Sequence, residues 1–193
     1  MKTLIATITA GALLCLSGAA RAERAQGMRS HTRGRILLGV DTEFGIPLGN
    51  YADVNSVGGG AILNAEYPLM NVLGATARIG FQAHVDRTVN GLGSHVNAIP
   101  FLLGTKYYIG SDREGLFGAF ELGIFDLMSS VDRRVGGQIN SVTSNDLKFG
   151  LGAGLGYQQD RWNARVNLHS QDVGNFGSAF VISGGIGYQF ASL

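Results

Sequence analysis

The chain is 193 residues long, which favours a single domain, and its 15 basic and 14 acidic residues almost balance. A chain without a basic excess has no electrostatic footprint for nucleic acid, so we exclude nucleic acid as a partner. Charged residues make up only 15% of the sequence, whereas roughly 25% is usual for a soluble globular domain. The composition therefore argues against an ordinary water-soluble globule.

The first 22 residues have the pattern of a secretory leader. A Met-Lys start precedes an apolar, uncharged stretch over residues 4–16, and small residues stand three and one positions before Glu23. This pattern predicts a Sec-type signal peptide over residues 1–22 that is cleaved before Glu23. A periplasmic N-terminal segment is then expected over residues 23–34.

The only cysteine, Cys15, lies inside this leader and directly follows Leu14. A lipoprotein signal needs a small residue at that place, so lipid attachment is not expected. The mature chain has no cysteine, which excludes disulfides and thiolate metal sites. Cleavage also removes Lys2 and Arg21 from the 15 basic residues and leaves 13 against 14 acidic ones.

After the leader, the sequence has no run of 18 apolar residues that could form a membrane-spanning helix. Apolar and polar residues instead alternate with a period of two, as they do in β-strands with one apolar face. An exported, apolar chain without spanning helices can meet lipid only as a closed barrel, because lipid offers no partners to open sheet edges.

Eight segments show this alternation, and strands of about 9–12 residues fit a tilted crossing of the bilayer. The alternation is clearest over residues 36–46, 60–67, 73–82, 99–108, 119–124, 147–158, 162–169 and 180–190. The sequence therefore predicts an all-β fold, an eight-stranded antiparallel up-and-down transmembrane β-barrel over residues 35–190. Residues 191–193 are expected to form a C-terminal tail.

The connections between these segments alternate in length. Short ones lie near residues 68–72, 110–115 and 159–161, and long ones near residues 48–58, 84–94, 127–145 and 170–178. Outer-membrane barrels have short periplasmic turns and longer external loops, so both termini are expected in the periplasm. Aromatic residues near the segment ends suit interfacial girdles: Phe44, Tyr67, Phe81, Tyr107, Tyr157, Trp162, Tyr188 and Phe190.

The charges on the polar face distinguish two barrel types. A soluble periplasmic lipocalin-like binder would turn this face to water, which requires more charge than the face carries. A sparse and balanced set suits a closed lumen, where each buried charge needs a partner and side chains alone fill an eight-stranded barrel. The predicted lumenal charge network consists of Asp41, Glu43, Glu66, Arg78, Lys106, Glu121, Lys148 and Arg165.

The sequence resembles the outer-membrane β-barrel domain family that includes OmpA-like and OmpX-like proteins. The resemblance covers about residues 35–190 and is clearest at residues 45–49, 106–108 and 184–190. It implies the outer membrane of a Gram-negative bacterium, with lipid and lipopolysaccharide as surroundings. It also implies the barrel-assembly machinery and periplasmic chaperones as partners during biogenesis, with Tyr188 and Phe190 as the C-terminal assembly signal.

Two motifs suggest enzymatic chemistry. The glycines at alternate positions from Gly150 to Gly156 lie within a period-two segment, so they fit strand packing better than a phosphate-binding loop. Some barrels that resemble this one modify lipid A with histidine and serine at the external rim, for which His169, His84 and Ser170 are the candidates. His169 and Ser170 are adjacent on a strand and point to opposite faces, which disfavours their pairing.

Two further pairs of residues could carry chemistry. His84 and His95 flank one predicted external loop and could share a metal ion. Asp41 and Glu43 lie on one strand face, where carboxylates can couple, but no substrate groove is indicated. We therefore expect no catalytic, cofactor or metal site, and no enzymatic activity.

The function that these features favour is a monomeric structural or surface-interaction protein with a plugged lumen. The longest predicted external loop, residues 129–145, carries Asp132, Arg133 and Arg134 as candidate contact residues. A narrow channel, a lipid A-modifying enzyme and a soluble lipocalin-like binder remain as alternatives.

Overall fold

The computed structural model describes residues 34–89, 91–110, 113–135, 138–175 and 179–193. The predicted leader, residues 1–22, and residues 23–33 of the predicted periplasmic segment lie outside the described residues. Among the described residues, no helix is long and apolar enough to cross a membrane.

Eight strands form one closed barrel in which chain neighbours pair and the last strand pairs with the first, always antiparallel. The strands are β1 (Leu37–Leu48), β2 (Asn55–Met70), β3 (Leu73–Val89), β4 (Leu92–Ile109), β5 (Gly115–Val135), β6 (Gln138–Gln159), β7 (Trp162–Ser170) and β8 (Phe180–Ser192). Helix α1 (Tyr51–Val54) connects β1 to β2, and a 3-10 helix (Val173–Asn175) connects β7 to β8. The predicted fold class is confirmed.

The barrel closes between β1 and β8 over their whole length, from Leu37 opposite Ser192 to Leu48 opposite Phe180. Ile36 and Leu193 extend this seam, because each backbone N–H donates to the other residue's carbonyl at 2.8 and 2.9 Å. Residues 191–193 therefore complete the closing seam and are not the separate tail that we predicted. We call the end of the barrel at which β1 begins and β8 ends the terminal end.

The apolar face of the barrel points outward and the polar face points into the lumen. On β6, Leu147 and Leu155 are 64% and 70% exposed, whereas Glu121, on the lumenal face of β5, is only 2% exposed. A lipocalin-like barrel would bury its apolar face instead. The arrangement is therefore that of a transmembrane barrel with a lipid-facing belt.

Four strands, β3 to β6, continue past this belt at what we call the extended end. On β5 the alternating row of outward apolar side chains ends at Ile124, yet the strand runs on through Asp126 to Val135, with Val131 as an isolated exposed apolar side chain. β6 stays paired with β5 throughout, from Val135 opposite Gln138 to Asp126 opposite Leu147. Roughly ten residues at about 3.3 Å each carry this hairpin about 30 Å along the strand direction.

The prediction of long loops over residues 84–94 and 127–145 is therefore wrong, because most of these residues form strands. The prediction depended on alternation of apolar and polar residues, which lipid on one side of a strand imposes. Beyond the belt both faces of the hairpin are exposed to water. The strands can therefore pair there without alternating apolar and polar residues.

Candidate functional site

Charged side chains from alternate strands meet in the middle of the lumen. Asp41 and Glu43 come from β1, Arg78 from β3, Glu121 from β5 and Arg165 from β7, and all five are buried. Asp41 and Glu43 share one face because successive side chains of a strand alternate between the two faces. We call this group the central network.

Arg78 is the centre of this network and is 2% exposed. Its Nη2 atom lies 3.1 Å from Asp41 Oδ2 and also pairs with Glu43 Oε1. Its Nη1 atom lies 3.0 Å from Glu121 Oε2. One guanidinium therefore bridges three carboxylates on β1 and β5, and it ties opposite walls of the barrel together.

Glu121 receives two more partners from β7. Arg165 Nη2 donates to Glu121 Oε1 at 2.7 Å, and His169 Nε2 lies 3.1 Å from Glu121 Oε2. Arg165 is held in turn by Asn167, whose Oδ1 accepts from Arg165 Nε at 2.9 Å. Neutral amides also hold the carboxylates, since Asn64 Nδ2 donates to Asp41 Oδ1 at 2.8 Å.

A second cluster surrounds Glu66 nearer the terminal end. Arg113 Nη2 lies 2.5 Å from Glu66 Oε1, and the Tyr108 hydroxyl donates to the same oxygen at 3.0 Å. Lys106 Nζ lies 3.5 Å from Glu66 Oε2 and 4.0 Å from the centre of the Phe117 ring. Arg113 reaches this cluster from the β4–β5 connection, so a turn residue covers the mouth of the lumen.

At the extended end, two connections fold into the mouth. The Tyr51 hydroxyl, on α1, donates to Gln171 Oε1 at 2.8 Å, and Gln171 Nε2 donates to Gln82 Oε1 at 3.3 Å. Gln82 Nε2 donates to Glu43 Oε2 at 3.2 Å, which links this cap to the central network. Buried apolar side chains pack beneath it: Val96, Ala98, Leu102, Phe125, Leu127, Ala179 and Val181.

The glycines of β6 make room for these side chains. A methyl group on Gly152 would meet the His169 ring, and one on Gly154 would meet the Asn167 side chain. A methyl group on Gly150 would lie 2.6 Å from Phe125 Cδ2. The period-two glycine run is thus a groove in the lumenal wall, and it has no helix of the kind that a nucleotide fingerprint requires.

The structure buries seven of the eight side chains that we predicted for the lumen, five in the central network and Glu66 and Lys106 in the second cluster. Lys148 is the exception, because it is only partly covered, at the rim of the extended end. Its Nζ lies 2.9 Å from Asp146 Oδ2 and 3.5 Å from Asp172 Oδ2. The sequence analysis did not predict Arg113 and His169 as members of the lumenal clusters. A cation in a turn and a single histidine on a strand give no sequence signal for the carboxylate that each one contacts.

The predicted contact residues lie on strand β5 and not in a loop. Asp132 is held by its neighbours: Gly93 N–H donates to its Oδ2 at 3.2 Å, and the Ser141 hydroxyl donates to its Oδ1. Arg133 and Arg134 are exposed near the tip of the hairpin. This places them on a paired strand beyond the belt.

The histidines form neither the His–Ser pair nor the shared metal site that the sequence analysis considered. His169 pairs with Glu121 in the lumen, while the Ser170 hydroxyl donates to the Asp172 backbone oxygen at 3.4 Å. His84 is buried, whereas His95 Nδ1 lies 2.5 Å from Asp86 Oδ1 on a partly exposed surface. Within the described residues, no three His, Cys, Asp or Glu side chains group as metal ligands.

The proposed assembly signal lies on the outer surface at the terminal end. Tyr188 packs against Trp162 with ring centres 4.7 Å apart, and Phe190 is exposed beside them on β8. Such a cluster is typical of an aromatic girdle at a membrane interface.

The closed ring of eight antiparallel strands with an apolar exterior has the fold of small outer-membrane β-barrels of the OmpA and OmpX kind. The Yersinia pestis attachment invasion locus protein Ail has this fold with a TM-score of 0.56 and 14% identity, over 82% of this chain and 99% of that one. The N-terminal barrel of Pseudomonas aeruginosa OprF has a TM-score of 0.52 and 14% identity, over 80% of this chain and 97% of that one. No protein-family model and no curated protein matches the sequence.

Proposed function

We propose that the chain is a structural or surface-interaction protein in the outer membrane of a Gram-negative bacterium, with a lumen closed by its own side chains. The proposal is supported by two features seen together. Side chains fill the lumen, and the sheet of strands β3 to β6 continues past the lipid-facing belt. In this proposal the leader is cleaved, the terminal end faces the periplasm, and the extended end faces the outside.

The proposed surroundings follow from the outer surface. Lipid and lipopolysaccharide surround the apolar belt, and the barrel is a monomer without a cofactor. Tyr188 and Phe190 serve as the signal that the barrel-assembly machinery and periplasmic chaperones recognise during biogenesis. Both residues lie on the last strand, which completes the ring.

Three successive layers support a closed lumen. The Glu66 cluster fills the terminal end, the central network spans the middle, and the Tyr51 cap with its apolar layer fills the extended end. An eight-stranded barrel has an interior just wide enough for side chains, so in this proposal these layers close the lumen to water and ions. The ionised groups are paired across the lumen, which disfavours their separation.

The purified mature chain is therefore expected to insert into a planar lipid bilayer without discrete conductance steps. The measurement is single-channel current in potassium chloride at neutral pH, with a known porin as the positive control. Reproducible steps whose size changes in Glu121→Ala or Arg165→Ala would contradict the closed lumen. They would establish a narrow channel through the central network instead.

The exposed hairpin offers a test of the interaction role. Replacing Asp132, Arg133 and Arg134 together with alanine is expected to leave the barrel folded, because these side chains lie outside the lumen. Binding of cells that display the barrel to immobilised extracellular proteins and to a sulfated polysaccharide should fall severalfold. Glu114→Ala, an exposed change at the terminal end, is the matched control. Equal binding by all three forms would remove this hairpin face from the interaction.

A further inference from the structure

The side chain of His84 is buried in the lumen without a full set of hydrogen bonds. Its ring packs edge-on against the Tyr51 ring of the cap, with ring centres 6.0 Å apart. His84 is 8% exposed, and its Nδ1 atom has no hydrogen-bond partner within the part of the chain that the structure describes. Buried polar atoms without a partner are rare in folded proteins, so this ring indicates a small polar ligand beside it.

A small cavity lies against this ring. It is bordered by β1, β2, β3 and β8, and the polar side chains that line it are Glu43, Gln82 and His84. Its volume is about 10 Å³, at the lower bound of the roughly 10–15 Å³ that holds one water molecule. The space therefore suits a ligand of the size of water and none larger.

Glycines on two neighbouring strands create this space. Gly45 on β1 lies opposite Gly58 on β2, and Gly58 lies opposite His84 on β3. Residues directly opposite each other share a face of the sheet, so the three positions form one row on the lumenal wall. A methyl group on Gly58 would lie 2.5 Å from His84 Cδ2, whereas one on Gly45 would have Val181 Cγ1 as its neighbour at 3.1 Å. Gly58 thus makes room for the ring, and Gly45 leaves room for a ligand.

The carboxylate of Glu43 offers the second contact for this ligand. Its Oε1 atom pairs with Arg78, and its Oε2 atom accepts from Gln82 Nε2 at 3.2 Å. A carboxylate oxygen can accept two hydrogen bonds, so Oε2 can take a further donor. Gln82 is engaged on its other side as well, because its Oε1 atom accepts from Gln171.

The charges around the cavity favour a neutral ligand. Glu43 is paired with the guanidinium of Arg78, which repels a second cation, and its own charge repels an anion. Water can donate to Glu43 and can either donate to or accept from the imidazole, so it fits both neutral tautomers of His84.

We propose that this cavity is the binding site of one ordered water molecule, which joins His84 to Glu43. The cap already reaches Glu43 through Gln171 and Gln82. The water adds a second link from the cap to the central network, through the ring that packs on Tyr51. This inference rests on the closed lumen of the proposed function, and it adds a resident solvent molecule to the side chains that fill it.

The test is NMR of the mature chain in detergent micelles with isotope-labelled histidine. Paired NOESY and ROESY spectra distinguish a long-lived bound water from rapidly exchanging bulk water. We expect the carbon-bound ring protons of His84 to show contact with a long-lived water. His95, which is partly exposed, should show rapidly exchanging water and is the internal control.

Two glycine variants separate a bound water from general hydration. Both glycines border the cavity, but residue 45 shares the lumenal face with Glu43, whereas residue 59 lies opposite the outward Phe44. Gly45→Ala should therefore abolish the water contact at His84, and Gly59→Ala should keep it. Both variants retain the ring N–H group, so its exchange with water cannot produce the difference.

His84→Phe decides the question if Gly45→Ala does not fold, as judged by its gel mobility before and after heating. Phenylalanine keeps a ring of similar size and removes both nitrogen atoms. This variant should lose one long-lived water per molecule in oxygen-17 relaxation dispersion, relative to the wild type.

The proposal is overturned if the wild type shows no long-lived water at His84, if Gly45→Ala folds and keeps that water, or if His84→Phe loses none. A dry His84 in a barrel that does not conduct would contradict this inference and leave the proposed function intact. Water contacts that continue to Phe117, in the terminal layer, together with conductance, would contradict the closed lumen itself.

Discussion

Arg78→Ala is expected to destabilise the folded barrel by about 3–5 kcal/mol, the usual effect of removing one partner from a buried ion pair. Arg78 bridges Asp41, Glu43 and Glu121, and none of the three carboxylates can reach water from its buried position. Of these three carboxylates, only Glu121 also has an ion pair with Arg165. Equilibrium unfolding by urea in lipid vesicles, followed by the fluorescence of the single tryptophan, Trp162, measures the change.

The matched control is Lys148→Ala, which removes a cation from a partly exposed ion pair at the rim. Solvent screens such pairs, so the unfolding midpoint should not move measurably. If the two variants unfolded at the same urea concentration, the central network would not be a source of stability.

The second large effect is expected at Gly123, which faces the lumen on β5. A methyl group there would collide with the Phe101 carbonyl oxygen and lie 2.9 Å from Leu102 Cα, and both are backbone atoms of β4. Backbone cannot yield as a flexible side chain does, so Gly123→Ala should destabilise the barrel by about 1–3 kcal/mol through local overpacking. The same urea titration in vesicles detects the loss.

Gly118→Ala is the control for this change, because it lies on the same strand but on the outer face. The nearest atom to its added methyl group is Leu155 Cδ2 at 4.0 Å. The Gly118 variant should match the wild type or exceed it slightly, since alanine lowers the entropy of the unfolded chain. A loss of stability at Gly118 equal to that at Gly123 would show that crowding in the lumen is not the cause.

The fold could be predicted from the sequence because lipid imposes a strict pattern on each strand. Alternation along β6, with Leu147 to Tyr157 outward and Lys148 to Gln158 inward, fixes both the face and the register of the strand. Lipid on one side and a narrow lumen on the other leave few residues that fit either face.

The extended hairpin could not be predicted from that pattern. Residues 138–146 of β6 carry polar side chains on both faces, so they have no alternation to distinguish them from a loop. Their strand structure comes from pairing with β5, which is a long-range contact that composition does not reveal. β-Branched residues such as Val131 and Val142, which are opposite each other, were the available local signal.

The candidate site was predictable to the extent that it depends on strand parity. Asp41, Glu43, Arg78, Glu121 and Arg165 share the lumenal parity of their strands, so their convergence follows from the closure of the ring. The position of a side chain along the barrel axis does not follow from the strand face to which it belongs. Lys148 has lumenal parity but lies at the rim, and the turn residue Arg113 reaches the lumen from outside any strand.

The most direct test of the central claim is the mobility of the purified mature chain in a detergent gel, unboiled and boiled. A closed transmembrane barrel with an apolar exterior should require detergent for solubility, resist unfolding by it, and change its apparent mass only after heating. A chain that stays soluble in buffer alone and shows no mobility shift would contradict the lipid-facing belt.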